Sequence, residues 1–334
     1  MVLVSRSFVS RNTYTLAITT TLIVILTAYG YNNGISMSMF QHDRYSIFDR
    51  DINESLLYRI PSDNQLDGMD DNTLYHTFWK YINLPQYRCY NRTRLGPTKS
   101  DKGKNICADD KFKPAPSSCL VYSFGSNFDF QFEEAVWRTY KCEIHTFDPS
   151  RSVTGVTIPN EVNFHLIGLS GKSYIRSSPE NWRTLQKESR TDWKMQTLNE
   201  IIKSLNHTNR NIDILKIDIE GWEWSTLPEI ITSGVLPYVK QICIEIHFGY
   251  GFQVLYKAKK PVAVKFTSEK WGNVEIPDQL KVLRNLNDTG FRIFMIDPIR
   301  HWGTRHVHSP ALDVDTLMEL SLVNINKLAI VPGS

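Results

Sequence analysis

Residues Asn211–Trp224 read NIDILKIDIEGWEW, and this stretch decides the fold. Ile212, Ile214, Leu215, Ile217 and Ile219 make a short, β-branched apolar run, the pattern of a strand covered on both faces of a parallel sheet. The run gives out at Asp218, Glu220 and Gly221, and a segment with helical spacing follows as far as Gly234. Carboxylates two positions apart on a strand point to the same side. Here they stand at its carboxyl end, the edge where open α/β sheets take their ligands. The competing reading makes one of the acids a cap for the following helix, whose first turn favours negative charge.

Working outward, the chain alternates between strand and helix. Upstream, Cys119–Phe124 reads as a strand ending in Gly125-Ser126-Asn127, and Phe128–Lys141 as a helix. Cys142–Phe147 is a strand closed by Asp148-Pro149-Ser150, Asn163–Leu169 a third strand, and Met195–Leu205 a helix. Downstream lie a helix over Trp222–Ser233, a strand over Gln241–Phe248, a helix over Asp278–Asp288, and late strands at Phe291–Ile296 and Leu320–Ile325. This rhythm predicts an α/β domain over 117–330, built on a mostly parallel, doubly wound sheet. Residues 32–116 are more polar, with one amphipathic helix at Leu74–Ile82 and a loop over Thr98–Pro116. They read as a stem plus a lid or collar on the main domain, not as a domain of their own.

The amino terminus carries Arg6 and Arg11 and no acid before Asp43. Tyr14–Tyr31 is uncharged and apolar, and just reaches the 17–25 or so residues that a bilayer needs. Positive charge on its amino side orients it as a type II signal anchor. Residues 1–13 are then a cytosolic tail and the remainder is luminal, in the Golgi or endoplasmic reticulum. A signal peptide cleaved near Ala28-Tyr29-Gly30 is the alternative and makes the protein secreted; a buried helix is a third reading. N-x-[ST] sequons at Asn53, Asn91, Asn206 and Asn287, all in polar or loop-like stretches, agree with the secretory route.

A formal net charge of +3, without a basic block interleaved with aromatics, excludes a nucleic-acid partner. The five cysteines show no C-x-x-C spacing, which excludes a common zinc module. Cys89 and Cys107 can pair in an oxidising compartment. Cys119, Cys142 and Cys243 fall beside strand-like runs as small core residues, with a Cys119–Cys142 bridge left open.

Chemistry gathers at the predicted strand ends. Ser123-Phe124-Gly125 is a glycine turn, where backbone can approach a ligand closely. Asp148, about twenty residues on, suits the ribose hydroxyls of a nucleoside cofactor. Neither G-x-G-x-x-G nor a P-loop occurs, so a cofactor with ribose and no pyrophosphate fits: S-adenosylmethionine. Asp218 and Glu220 end one strand, and Glu245 and His247 the next. Side by side, the four form a set able to deprotonate a hydroxyl or to hold a hard divalent cation. The bland reading is an internal network with Lys216, His207 or arginines. No G-x-S-x-G elbow is present, whereas Asp313-Val314-Asp315 echoes the metal-binding acid pair of glycosyltransferases.

Taken in order, VYSFGSNFDFQFEE (121–134), HTFDPS (145–150), MQTLNEIIKSLNH (195–207), ILKIDIEGWEW (214–224) and VKQICIEIHF (239–248) resemble the methyltransferase-like protein 24 family, related to the FkbM type. The resemblance covers roughly Cys89 to Ile325 and implies a seven-strand Rossmann-like methyltransferase fold. It implies S-adenosylmethionine over Ser123, Phe124 and Gly125 with Asp148 on its ribose, and Asp218 and Glu220 flanking the methyl group. FkbM relatives methylate oxygens, often on sugars. The expectation is therefore a luminal O-methyltransferase acting on a glycan or glycoprotein. Its rivals are a catalytically inactive binding module, which the bulky SFGSNFDF loop favours, and a glycosyltransferase resting on Asp313 and Asp315.

Overall fold

The computed structural model describes residues 58–98, 100–177, 192–247, 252–257, 260–266, 275–298, 306–309, 312–315 and 317–326. The expected anchor at 14–31 and Asn53 lie outside them. Among the described residues, no helix is long and apolar enough to cross a membrane.

Two short helices come first, α1 (Asp63–Asp67) and α2 (Asp71–Ile82), then the hairpin β1 (Arg92–Leu95) and β2 (Lys104–Cys107). The alternating part follows: β3 (Leu120–Phe124), α3 (Gln131–Tyr140), β4 (Glu143–Phe147), β5 (Val162–His165), β6 (Ile167–Leu169), β7 (Tyr174–Ser177), β8 (Asp192–Gln196), α4 (Leu198–Ser204), β9 (Ile212–Ile217), α5 (Glu223–Thr232) and β10 (Val239–His247). The chain continues with β11 (Phe252–Lys257), β12 (Lys260–Phe266), α6 (Ile276–Asp288), β13 (Phe291–Pro298), β14 (His306–Ser309), β15 (Leu312–Asp315) and β16 (Leu317–Asn324).

Seven strands form the central sheet in the order β13-β16-β10-β9-β3-β4-β5. Strands β5, β4, β3, β9 and β10 run parallel, while β16 is antiparallel to both β10 and β13. The quoted strand, β9, lies between β3 and β10 with all six of its residues buried, as its apolar run requires. The mostly parallel α/β sheet expected from the alternation is thus observed, with the seven strands that the resemblance implies.

The pleat sends successive side chains to opposite faces. One face, through Tyr122, Leu215, Ile217 and Ile242, packs in a large core with Phe78 of α2, Ile201 of α4, Leu227 of α5 and Leu283 of α6. The other, through Val121, Ile144, Ile214 and Cys243, meets Phe132 and Val136 of α3 together with Leu95 and Ile106 of the hairpin. Each large apolar side chain so buried stabilises the fold by about 1.5–3 kcal/mol. From residue 58 onward, the stretch read as stem and lid therefore packs into the same two cores.

Three expectations need correction. The loop over Thr98–Pro116 contains β2, whose Lys104, Ile106 and Cys107 are buried. The strand Asn163–Leu169 is two strands: β5 stays in the main sheet, whereas β6 joins β8 and β7 in a separate three-stranded one. The helix expected from Met195 begins only at Leu198, after β8. There Trp193 and Met195 alternate with exposed neighbours at a strand's period, and Thr197 caps the helix by accepting from Glu200 N–H at 3.2 Å.

Two disulfides tie loops to this frame. Cys89–Cys107 joins β2 to the segment before β1, and Cys119–Cys142 joins the amino ends of β3 and β4. Cys243 is free and buried.

Candidate active site

The carboxyl ends of β3, β4, β9 and β10 meet along one edge of the sheet. After Phe124 the chain turns through Gly125 at φ +77°. A Cβ there would lie 1.6 Å from the Asp218 carbonyl oxygen. The glycine is thus required by the neighbouring strand end, which crosses at van der Waals distance while Asp218 N–H donates to the Phe124 carbonyl at 3.1 Å.

Of the residues expected against a cofactor, Ser123 and Phe124 turn their side chains inward. Ser123 Oγ donates to Glu133 Oε1 at 2.5 Å, and the Phe124 ring stacks on Phe147 with centroids 4.6 Å apart. Only their backbone reaches the edge. Asp148 is buried just past β4, accepting Asn127 N–H on Oδ2 at 2.7 Å and Ser150 N–H on Oδ1 at 2.9 Å. It therefore pins the β3–α3 loop to the exit of β4. Burial raises its carboxyl above the usual value, against the pull of those hydrogen bonds.

Asp218, Glu220, Glu245 and His247 do converge. The parallel register pairs Ile217 with Ile244, so Asp218 follows beside Glu245. Beyond Asp218 the chain turns through Glu220 (φ 57°) and Gly221 (φ 93°) into α5. Glu223, fully buried in the first turn of α5, accepts from Ile219 N–H at 2.9 Å and holds His247 Nδ1 at 3.2 Å. His247 Nε2 faces Glu220 at 3.4 Å and Glu245 at 3.5 Å.

Two lysines complete the cluster. Lys216 Nζ donates to the Gly125 carbonyl at 2.7 Å and lies 3.7 Å from Asp218 Oδ2. Lys104, brought under the sheet by β2, is 2.8 Å from Glu319 and 3.6 Å from Glu245. The sequence reading passed over Lys104 and Glu319. Glu319 is a lone charge in the apolar run LMELSLV, where burial demands a partner, whereas Lys104 stands among charged and polar residues and carries no such signal.

These neighbours sort the protonation states. Burial alone would raise Asp218, but Lys216, Lys104 and His247 outweigh it and hold the carboxyl below its usual value. Burial and the Asp218 charge push Glu245 up to about 8, and burial raises Glu319 against the pull of Lys104. His247 rises well above its usual value, because the Glu223, Glu220 and Glu245 carboxylates outweigh its burial. At neutral pH the arrangement is an ionised Asp218, a cationic His247 that donates rather than accepts, and a Glu245 within reach of either state. Asp218, Glu220 and His247 bring one ligand atom each within 4.8 Å of one another, so a hard cation has candidate ligands, in competition with Lys216.

Asp313 and Asp315 lie on β15, in a two-stranded hairpin with β14 outside the seven-stranded sheet. His207 is absent from this cluster and stands instead with Glu143. Of the sequons, Asn91 is exposed and donates to Asp109 at 3.1 Å, and Asn206 is exposed just after α4. Asn287 sits in the last turn of α6, not in a loop, with Nδ2 3.4 Å from Gln86.

Residues 43–270 match the family model described as a methyltransferase domain. Human and rat probable methyltransferase-like protein 24 are each 29% identical, over 186 and 187 residues, covering 53% of this chain and 48% of theirs. The chain thus spans about half the length of the curated relatives it matches. The crystal structure of methyltransferase FkbM from Methylobacillus flagellatus matches over 78% of this chain and 58% of that one, at 12% identity and a TM-score of 0.34. With most of its length matched by that family model, the chain belongs to the methyltransferase-domain family.

Proposed function

We propose that this chain is an S-adenosylmethionine-dependent O-methyltransferase working in the secretory lumen on a hydroxyl of a glycan or glycoprotein. The observation that carries the reading is the meeting of Asp218 and Glu245 at the same sheet edge as the Gly125 turn and Asp148. The cofactor, when bound, would supply a sulfonium methyl group open to in-line attack by an acceptor oxygen, with the thioether sulfur as leaving group.

The residues present fit such a group. A carboxylate offers about four acceptor sites, so Asp148 keeps capacity for ribose hydroxyls beyond its two backbone bonds. Ser150, buried beside it, is a further polar group. The ionised Asp218 suits a cationic sulfonium at the edge. Glu245, with its carboxyl near 8, is the group matched to take the acceptor's proton once ionised, since a general base works best when its pKa lies near the working pH. Lys104 and His247 position it. The alternative use of Asp218, Glu220 and His247 is to hold a divalent cation that acidifies the acceptor, binding of which would displace the His247 proton.

The compartment is supported by the two disulfides, which persist in oxidising surroundings, and by the exposed Asn91 and Asn206 sequons. The apolar segment 14–31 serves as the membrane anchor in this reading. A catalytically inactive binding module is the second reading. It is favoured by Asn127 and Phe128, which take positive φ (46° and 60°) in the first loop, where glycines would leave room.

Calorimetric titration of S-adenosylmethionine and S-adenosylhomocysteine into the protein, with Asp148→Asn alongside, separates the two. Micromolar binding that the variant loses supports the transferase. A folded wild type that binds neither molecule leaves the binding module.

A further inference from the structure

A second cluster of titratable side chains lies on the helix-covered face of the sheet, toward its amino edge and away from the acid cluster. Glu143 begins β4 and His145 follows two residues on, so both side chains leave the same face. His207 arrives from the turn after α4, where Asn206 (φ 57°) and Asn209 (φ 66°) bend the chain back on the sheet. Glu143 Oε1 sits 2.9 Å from His145 Nε2 and 3.2 Å from His207 Nε2. One ligand atom from each of the three lies within 4.8 Å of the others.

What separates this group from an ordinary ion pair is that each imidazole is also gripped from behind. His145 Nδ1 is 2.9 Å from His165 Nε2, in a stacked pair of rings. His207 Nδ1 is 2.7 Å from the Tyr122 hydroxyl. Metal-binding histidines are held this way, their second ring nitrogen bonded so that the ring plane is set before the ion arrives.

We propose that Glu143, His145 and His207 form a site for a divalent ion of the zinc class, held by the two Nε2 atoms and one carboxylate oxygen. Two imidazoles and one carboxylate suit zinc, whereas magnesium and calcium prefer all-oxygen shells. Glu143 Oε1 stands where the two Nε2 atoms converge. The Glu143 side chain is 38% exposed against 8–9% for the imidazoles, so its rotation admits an ion from solvent. Arg210 is 2.9 Å from Oε2 and leaves Oε1 to serve as ligand. Without the ion each Nε2–H donates to Glu143, so binding moves the proton of each ring to Nδ1, where His165 and the Tyr122 oxygen accept it, and frees both Nε2 lone pairs for the metal. Three protein ligands leave a fourth position open to water or another donor. The ion joins β4 to the 206–210 turn, and the site is independent of the acid cluster.

The test uses the full chain, stripped of metal and titrated with Co²⁺, whose visible d–d absorption reports nitrogen and oxygen ligation, followed by displacement with Zn²⁺. One equivalent per chain is expected, lost in His207→Gln and weakened about 10–100-fold in Tyr122→Phe, which removes only the hydroxyl behind His207. Glu143→Gln, at a part-exposed position, weakens it too and decides the matter should His207→Gln fail to fold. Absence of stoichiometric binding in the wild type, binding unchanged in Glu143→Gln and Tyr122→Phe, or binding abolished only by Glu220→Gln, overturns the proposal.

Discussion

Replacing Lys104 with methionine tests the charge balance on which the candidate active site depends. The native ammonium is buried, 2.8 Å from Glu319 and 3.6 Å from Glu245. Methionine keeps most of the packing but leaves two buried carboxylates without that charge, and breaking one side of a buried pair costs about 3–5 kcal/mol. The pH dependence has a definite sign. Burial already raises Glu319 and Glu245, the latter to about 8, and removing Lys104 raises both further. Below the ordinary carboxylate range both acids are protonated in folded and unfolded chains, so the loss there is limited to packing. As the pH rises, the unfolded chain releases these protons while the folded variant either retains them or bears unpaired charge. Wild type shares this loss up to its own folded-state values, so the variant's extra penalty opens only where the wild-type acids ionise, for Glu245 above about pH 8, and then grows by about 1.4 kcal/mol per unit by which the substitution raises each pKa. Urea unfolding followed by tryptophan fluorescence, with disulfides intact, measures this at about pH 5 and at about pH 9.5, above the wild-type Glu245 value. Lys102→Met is the control, since its pairing with Asp129 is solvent-exposed and such pairs contribute only about 0–1 kcal/mol. A loss equal at the two pH values, or below about 1 kcal/mol at the higher one, refutes the reasoning.

Gly125→Ala forces a side chain to φ +77° and into the Asp218 carbonyl, at a cost of about 3 kcal/mol or more, visible as a fall in melting temperature of at least about 6 °C. An alanine variant within 1 kcal/mol of wild type would mean that the strand ends are not packed as described. Replacing Cys119 and Cys142 with serine lowers stability by about 3 kcal/mol in chemical denaturation. It leaves cofactor affinity unchanged in calorimetry, because the bridge sits on the amino edge of the sheet. With Glu245 as general base, the logarithm of kcat/KM climbs with unit slope to about pH 8 and then levels, and Glu245→Gln removes that limb. A flat wild-type profile between pH 6 and 9 would assign the proton transfer elsewhere.

Much of the fold was legible along the chain because its signals are local. The run in β9, the helical spacing of α3, α5 and α6, and turn residues such as Gly125 and Asp148 each report a structure that nearest neighbours determine. Where the period is short or broken, the reading slipped. The four residues of β2 sit inside a lysine- and proline-rich stretch, and β8 has only Trp193 and Met195 to mark its buried side before a helix begins.

Within the site, Asp218, Glu220, Glu245 and His247 could be grouped from sequence because two consecutive parallel strands end at one edge. Only Glu245 and His247 keep the expected same-face strand spacing: β9 stops at Ile217, and Glu220 reaches His247 from a turn at φ 57°. The charge states of the four could not be read from sequence. Lys104 and Glu319 lie far apart in sequence, and only the pairing of β10 with β16, and the hairpin beneath the sheet, sets them against Glu245. Glu143, His145 and His207 likewise meet only once the turn after α4 folds over β4. Sequence alone determined the long, regular secondary elements and the edge at which chemistry collects, because hydrophobic period and turn propensity act over a few residues. Tertiary structure decided which acids are ionised and which side chains stand ready for a metal, because desolvation and Coulomb interactions depend on distances that close only when remote segments pack.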